Sequence, residues 1–222
     1  MCRAKVQDEV RNLSFPHCNN AEIKKLLMSI NLEKGQRVDI TKENPGLKIA
    51  AIGLGWDIKS GAGEDYDLDS FGLALQGKKL KELPAHILYF GSPKTANKPQ
   101  ILEGALTHSG DNLTGAGDGD DETMLVEFAK LPATVDEIII CVNIFKAVSR
   151  NNQNFGQVNN AFVRIYDFDT KAEILKFDLS EDYSAFNGMV MGRLYLNNGE
   201  WKFQAMGEGK NGDINEIAQL FQ

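Results

Sequence analysis

Ten of the 31 acidic residues fall in two short stretches, and their spacing suits one chemistry, the holding of a hard cation by oxygen. In the first stretch, Asp57 to Asp69, the acids Asp65, Asp67 and Asp69 alternate with other residues. Alternate side chains of an extended chain share a face, so these three carboxylates are expected to point the same way. At about 6–7 Å each pair repels by roughly 2–3 kcal/mol at an effective dielectric of 20. A bound cation removes that repulsion and turns it into affinity. The second stretch, Gly110 to Glu122, holds five acids, four glycines and no base. Glycine lets a backbone fold tightly and turn its carbonyl oxygens inward, which suits a cation with six to eight oxygen ligands. The two stretches are expected to converge on one shared site or two close ones.

Ligand type narrows the metal. Neither stretch contains His or Cys, which disfavours zinc and other metals that prefer nitrogen or sulfur. The number of acids exceeds what a water-rich octahedral magnesium site uses, so Ca2+ is the expected ion. An EF-hand is excluded: counted from Asp65, position six is Ser70 and position twelve is Gln76, where Gly and Glu belong. The glycine-rich run Thr114–Gly119 lacks the Gly-Lys-Ser/Thr ending of a phosphate loop. Ser109, His108 and Asp111 contain the residue types of a hydrolytic triad, but neighbours in one loop rarely reach that geometry, and no nucleophile elbow is present. His108 reads as a surface imidazole, and no catalytic residue is assigned. A third acidic cluster, Asp178–Tyr183, reads as a turn or helix cap.

The elements that must position these acids are mostly strands. Apolar or alternating runs occur at Leu47–Leu54, Asp67–Leu75, Ile87–Phe90, Met124–Phe128, Val135–Phe145, Ala161–Phe168, Glu173–Leu179, Gly188–Leu196 and Trp201–Met206. Asn197-Asn198-Gly199 reads as a hairpin turn, and Asp213 to Glu216 as a capping box opening a short helix. The polar run Ser149–Asn160 reads as backbone-satisfying structure. A weak helical pattern spans Ala21–Ile30. With no alternation of strand and helix, the expected fold is mainly β: an antiparallel two-sheet β-sandwich with short peripheral helices.

Composition bounds the rest. A net charge of −7 argues against nucleic acid as a partner. The three cysteines, Cys2, Cys18 and Cys141, show no regular spacing, and Cys141 reads as a buried reduced thiol. The longest apolar runs are too short to span a bilayer, and no apolar segment follows Arg3 and Lys5 as in a signal peptide. A cytoplasmic protein is expected. Residues 1–27 read as an N-terminal extension, from an upstream start or a cloning remnant, and residues 28–222 as the domain.

Six motifs in order carry a family resemblance. They are Gly53 to Asp57, Asp65 to Asp69, His108 to Glu122, Asn154 to Val158 with Asn160 to Phe162, Asp178 to Asp182, and Gly199 to Phe203. Together they resemble the TerD family of tellurite-resistance and stress-response proteins from about Met28 onward. The resemblance implies a calcium-binding β-sandwich with metal ligands among Asp57, Asp65, Asp67, Asp69, Asp111, Asn112, Asp118, Asp120, Asp121 and Glu122. One departure is visible: Ser70-Phe-Gly-Leu follows Asp69 where the family usually has Ala-Ser-Ala, and this is expected to disturb the strand register below the site. The function expected is that of a non-enzymatic calcium-dependent sensor or scaffold in a tellurite- or chemical-damage-resistance system, working with other proteins of that system. Two alternatives stand beside it, a metal-dependent phosphoester hydrolase and a metal-bridged binder of cyclic nucleotides or other small molecules.

Overall fold

The computed structural model describes residues 29–58, 66–83, 85–112, 119–178 and 183–222. The expected extension and most of the Ala21–Ile30 helix lie outside those residues. Ile30, at the end of that span, belongs to a short strand, β1 (Ile30–Asn31).

Two sheets pack face to face. The eight-stranded sheet contains β3 (Ile49–Ile58), β6 (Lys94–Thr95), β7 (Lys98–Ile101), β8 (Leu106–His108), β9 (Glu122–Glu127), β11 (Val158–Asp167) and β12 (Glu173–Asp178), in the order β1-β12-β11-β3-β9-β8-β7-β6. The six-stranded sheet contains β2 (Arg37–Asp39), β4 (Leu68–Leu75), β5 (Ile87–Leu88), β10 (Glu137–Ile144), β13 (Gly188–Asn197) and β14 (Glu200–Lys210), in the order β2-β14-β13-β10-β4-β5. Among the described residues β1 pairs in parallel with β12, and the other strand pairs are antiparallel. The antiparallel sandwich read from the residue pattern is the fold observed.

The burial of each strand explains its pattern. β11 alternates because Ala161, Val163 and Ile165 enter the core between the sheets while Phe162, Arg164 and Tyr166 lie half-buried outside. β10 does not alternate, because both of its faces are covered. Ile138, Ile140, Val142 and Ile144 join the inter-sheet core, whereas Ile139 and Cys141 join a second cluster with Ile217 and Ala218 of the C-terminal helix Ile214–Gln219. The same burial raises the Cys141 thiol pKa well beyond its ordinary value. Asp213 accepts from the Asn215 and Glu216 amides, and Glu216 accepts from the Asp213 amide, so the expected capping box holds that helix in place. Between β13 and β14, Asn198 and Gly199 both adopt positive φ (54° and 79°), the twist a two-residue hairpin turn requires.

β4 carries the site, and its register is continuous. It pairs with β10 from Leu68↔Ile144 to Leu75↔Glu137 without a break, so the disturbance expected after Asp69 is absent. On its other edge β5 reaches only Gly72 and Leu73, which leaves the N-terminal half of β4 to be covered by side chains.

Candidate metal centre

That uncovered edge is where the two acidic stretches meet. The next edge donor, the Ser70 amide, gives its hydrogen to Glu122 Oε2 at 2.6 Å. Glu122 opens β9 in the opposite sheet and is fully buried, so one carboxylate ties the sheets together at this corner. His108, at the end of β8, stands beside it. The Gly110 amide donates to His108 Nδ1 at 3.0 Å, which leaves the ring proton on Nε2, facing Ser70 Oγ at 2.9 Å and Glu122 Oε2 at 3.6 Å. The surface imidazole expected at His108 is therefore corrected: the ring is 1% exposed and braces the site.

Against this brace lie Asp67, Asp69 and Asp111, each with a carboxylate oxygen within 4.8 Å of the others. Asp67 and Asp69 share a face as their two-residue spacing requires, and both are buried. Asp111 arrives from the other stretch and remains exposed. Asp67 Oδ1 and Asp69 Oδ2 are buried with no hydrogen-bond donor. Asn143 Oδ1 is also buried without a donor, and Asn143 is the cross-strand partner of Asp69, which puts it on the same face. Buried oxygens without partners are costly, and those of Asp67 and Asp69 belong to a group of acids that could hold a cation.

The electrostatics point the same way. Burial, then the charges of Glu122, Asp67 and Asp111, push the Asp69 carboxyl up to about 8. Asp67 is raised by burial and by Asp111 and Glu122, against the pull of Arg150. Asp111 is raised by burial and by Glu122, with His108 and Lys94 opposing. Each shift comes first from burial and then from the neighbouring acids.

The remaining candidates take other positions. Asp121 accepts from the Trp56 amide at 2.9 Å and from Asn112 Nδ2 at 3.2 Å, and the Asn112 amide points at Glu122 Oε1 at 3.4 Å. These three residues lock the second stretch against β3 and the brace. Asp120 turns to the outer face of the eight-stranded sheet, where Arg164 donates to both of its oxygens at 2.7 and 3.0 Å. It lies flat over Gly53, where a Cβ would meet the carboxylate at 2.2 Å, so the glycine makes room for it. Asp57 is exposed and accepts from Asn160 Nδ2 at 2.7 Å. Asp65 and Asp118 lie outside the described residues, as does most of the Asp178–Tyr183 cluster. In the polar run, Asn154 Oδ1 accepts from the Gly156 amide and Phe155 is buried, in keeping with the structural reading.

Sequence reasoning missed Arg150, whose Nη1 stands 3.6 Å from Asp67 Oδ2. It also missed Asn143, whose polarity within the apolar run Ile138–Ile144 was the available signal.

A two-sheet antiparallel sandwich with an all-oxygen acid cluster at one corner is the class of protein that this fold and site define. The chain belongs to the TerD domain family, whose model matches residues 28–221. It is 45% identical to General stress protein 16U of Bacillus subtilis, over 86% of this chain and 96% of that protein. It is 41% identical to Tellurium resistance protein TerD of Alcaligenes, over 87% of this chain and 97% of that one. In fold it is similar to a crystal structure of a telluride resistance protein (TerD) homologue from Streptomyces coelicolor. That likeness has a TM-score of 0.61 at 21% identity, covering 78% of this chain and 96% of the other. No helix among the described residues is long and apolar enough to cross a membrane.

Proposed function

We propose that this protein binds calcium at the Asp67–Asp69–Asp111 cluster and serves a tellurite- or chemical-damage-resistance response as a metal-dependent sensor or scaffold. The observation that carries the reading is the pair of buried, unpartnered oxygens, Asp67 Oδ1 and Asp69 Oδ2, beside a third carboxylate. An all-oxygen donor set suits a hard cation, and three carboxylates supply up to about six oxygens in a flexible arrangement, which favours calcium over magnesium. Of the ten candidate ligands, Asp67, Asp69 and Asp111 hold the ion in this reading. Glu122, Asn112 and Asp121 fix the geometry around it. Asp57 and Asp120 are peripheral.

The biological setting rests on the relatives' names, which speak of general stress and of tellurium resistance. In this proposal the protein works in the cytoplasm with other proteins of the same response, residues 28–222 forming the calcium-binding domain and residues 1–27 an extension. A hydrolytic role is less well supported. His108, the base it would need, has Nδ1 engaged by the Gly110 amide and Nε2 by Ser70.

Thermal unfolding in calcium against chelator tests the proposal. A ligand at a hundred times its dissociation constant adds about 2.7 kcal/mol, or roughly 5–10 °C for a domain of this size. A melting temperature that does not move at millimolar calcium overturns it.

A further inference from the structure

We propose that Arg150 is a tethered counter-cation: it partly neutralises the acid cluster in the ion-free protein and is displaced when the ion binds. The inference rests on the calcium reading and adds how the site is regulated. Arg150 comes from the loop after β10 into ion-pair reach of the buried Asp67 carboxylate. Its Nη1 stands 3.6 Å from Asp67 Oδ2. A charge-assisted pair with full hydrogen bonds closes to about 2.7–2.9 Å, so this contact is loose. Arg164 and Asp120 show what a committed pair looks like in the same molecule, at 2.7 and 3.0 Å through two nitrogens.

Arg150 also has a second seat. Its guanidinium lies 5.4 Å from the centroid of the Phe145 ring, within cation–π range, and about a third of the side chain is exposed. Leaving Asp67 therefore does not strand it. An ion held by Asp67 at the usual calcium–oxygen distance of about 2.4 Å would stand within a few ångströms of that guanidinium, and the repulsion between them would weaken an already loose contact.

The loop that carries Arg150 is built to register the exchange. Its first residue, Phe145, is tied to the site, its amide donating to the Asp67 carbonyl at 2.8 Å. The Arg150 amide closes a turn on the Lys146 carbonyl at 3.0 Å, and Ser149 Oγ donates to the same carbonyl. Lys146, Asn151 and Asn152 all hold left-handed backbone (φ 53°, 57° and 53°), a conformation that costs a lysine more than an asparagine. The far side of the same turn walls a cleft of about 530 Å³ between Lys146–Ser149 and Asn187, Asn211 and Glu216. Val148 at its rim is 73% exposed. Ion binding thus acts on Arg150 at one side of the turn, and the turn forms a wall of the cleft at the other.

Calcium titration calorimetry on the wild-type chain and on Arg150→Gln tests the exchange. Removing a competing charge is expected to tighten calcium binding about three- to fivefold, the scale of one partly exposed ion pair, while lowering the ion-free melting temperature. In wild-type protein the Arg150 Nε–H signal in nitrogen-15 NMR is expected to shift on calcium addition. Equal or weaker binding by Arg150→Gln, or an Nε–H signal that calcium leaves in place, overturns the exchange while the calcium reading stands. Failure of the wild-type chain itself to take up calcium at millimolar concentration overturns both.

Discussion

Asp69 and Asp120 are the same residue type, both with little solvent access, in the two acidic stretches of one molecule, yet their surroundings are opposite. Asp120 lies over Gly53 and receives both hydrogens of an Arg164 fork, while Arg164 also reaches Glu173 at 3.3 Å. Asp69 faces Asp67, Asp111 and Glu122, with one oxygen unpartnered and a single distant guanidinium opposing those three acids. Its carboxyl is driven up to about 8, whereas the Arg164 guanidinium is raised chiefly by its hydrogen bond to Asp120. A cluster of acids is therefore not itself a demand for metal. What separates the two places is whether the fold already supplies the cation.

The sharpest break of that contrast is Asp69→Asn. The folded form keeps the Asp69 proton up to about pH 8, whereas the unfolded chain releases it near pH 4. This group's contribution to ion-free stability is accordingly full below about pH 4 and is lost as pH rises through about 8, at up to about 1.4 kcal/mol per pH unit. Asp69→Asn removes this group's share of the slope, while Asp67 and Asp111, which burial also raises, keep theirs. At pH 8 without calcium the variant should be more stable than wild type by a few kcal/mol, on the order of 2–5. It should also lose most of the calcium-induced rise in melting temperature. Chemical denaturation across pH 4–8, in chelator and in calcium, gives both readings, and a variant less stable than wild type in chelator at pH 8 would contradict the account.

Asp120→Asn should do the reverse. Cutting one partner out of a largely buried pair leaves Arg164 with Glu173 alone and should cost roughly 1–3 kcal/mol, with calcium affinity unchanged within about twofold. Gly53→Ala should produce a similar loss by another route, since its Cβ would sit 2.2 Å from the Asp120 carboxylate that Arg164 holds in place. If either variant weakened calcium binding tenfold, Asp120 would belong to the ion site and the two surroundings would be one.

The contrast was half legible in the residue pattern. The period of two put Asp67 and Asp69 on one face without any structure, and the apolar run Val135–Phe145 marked β10 as a strand, although its burial on both faces emerged only in the fold. Edge strands escaped notice because they are short and polar: Lys94–Thr95 has two residues, and Lys98–Ile101 begins Lys-Pro-Gln. The partners of the acids were illegible for a different reason. Arg164 is 44 positions from Asp120, and only the pairing of β11 with β3 brings them together. His108 sits between polar neighbours, Thr107 and Ser109, that make it look exposed, yet strand alternation turns it inward beside Glu122. Local spacing shows what a residue can offer. Long-range pairing decides whether the offer is already taken.

Asp57 tests the smallest difference. It begins the first acidic stretch but is exposed, and it accepts a hydrogen bond from Asn160 Nδ2 at 2.7 Å. Asn160 has left-handed backbone (φ 51°) and lies in the bulge where the β11–β3 register shifts between Asn159 and Phe162. Asp57 is thus placed as a brace for the bulge. An exposed hydrogen bond of that kind contributes about 0.5–1 kcal/mol, so Asp57→Ala should lower the melting temperature by only about 1–4 °C. The calcium-induced rise should survive in full, because Asp57 neither faces Asp67 and Asp69 nor shares their buried, unpartnered state. A calcium response that vanished with Asp57→Ala would mean that the ion-holding region extends along the first stretch as far as β3, and that exposure at Asp57 marks an entrance to the site rather than its outer limit.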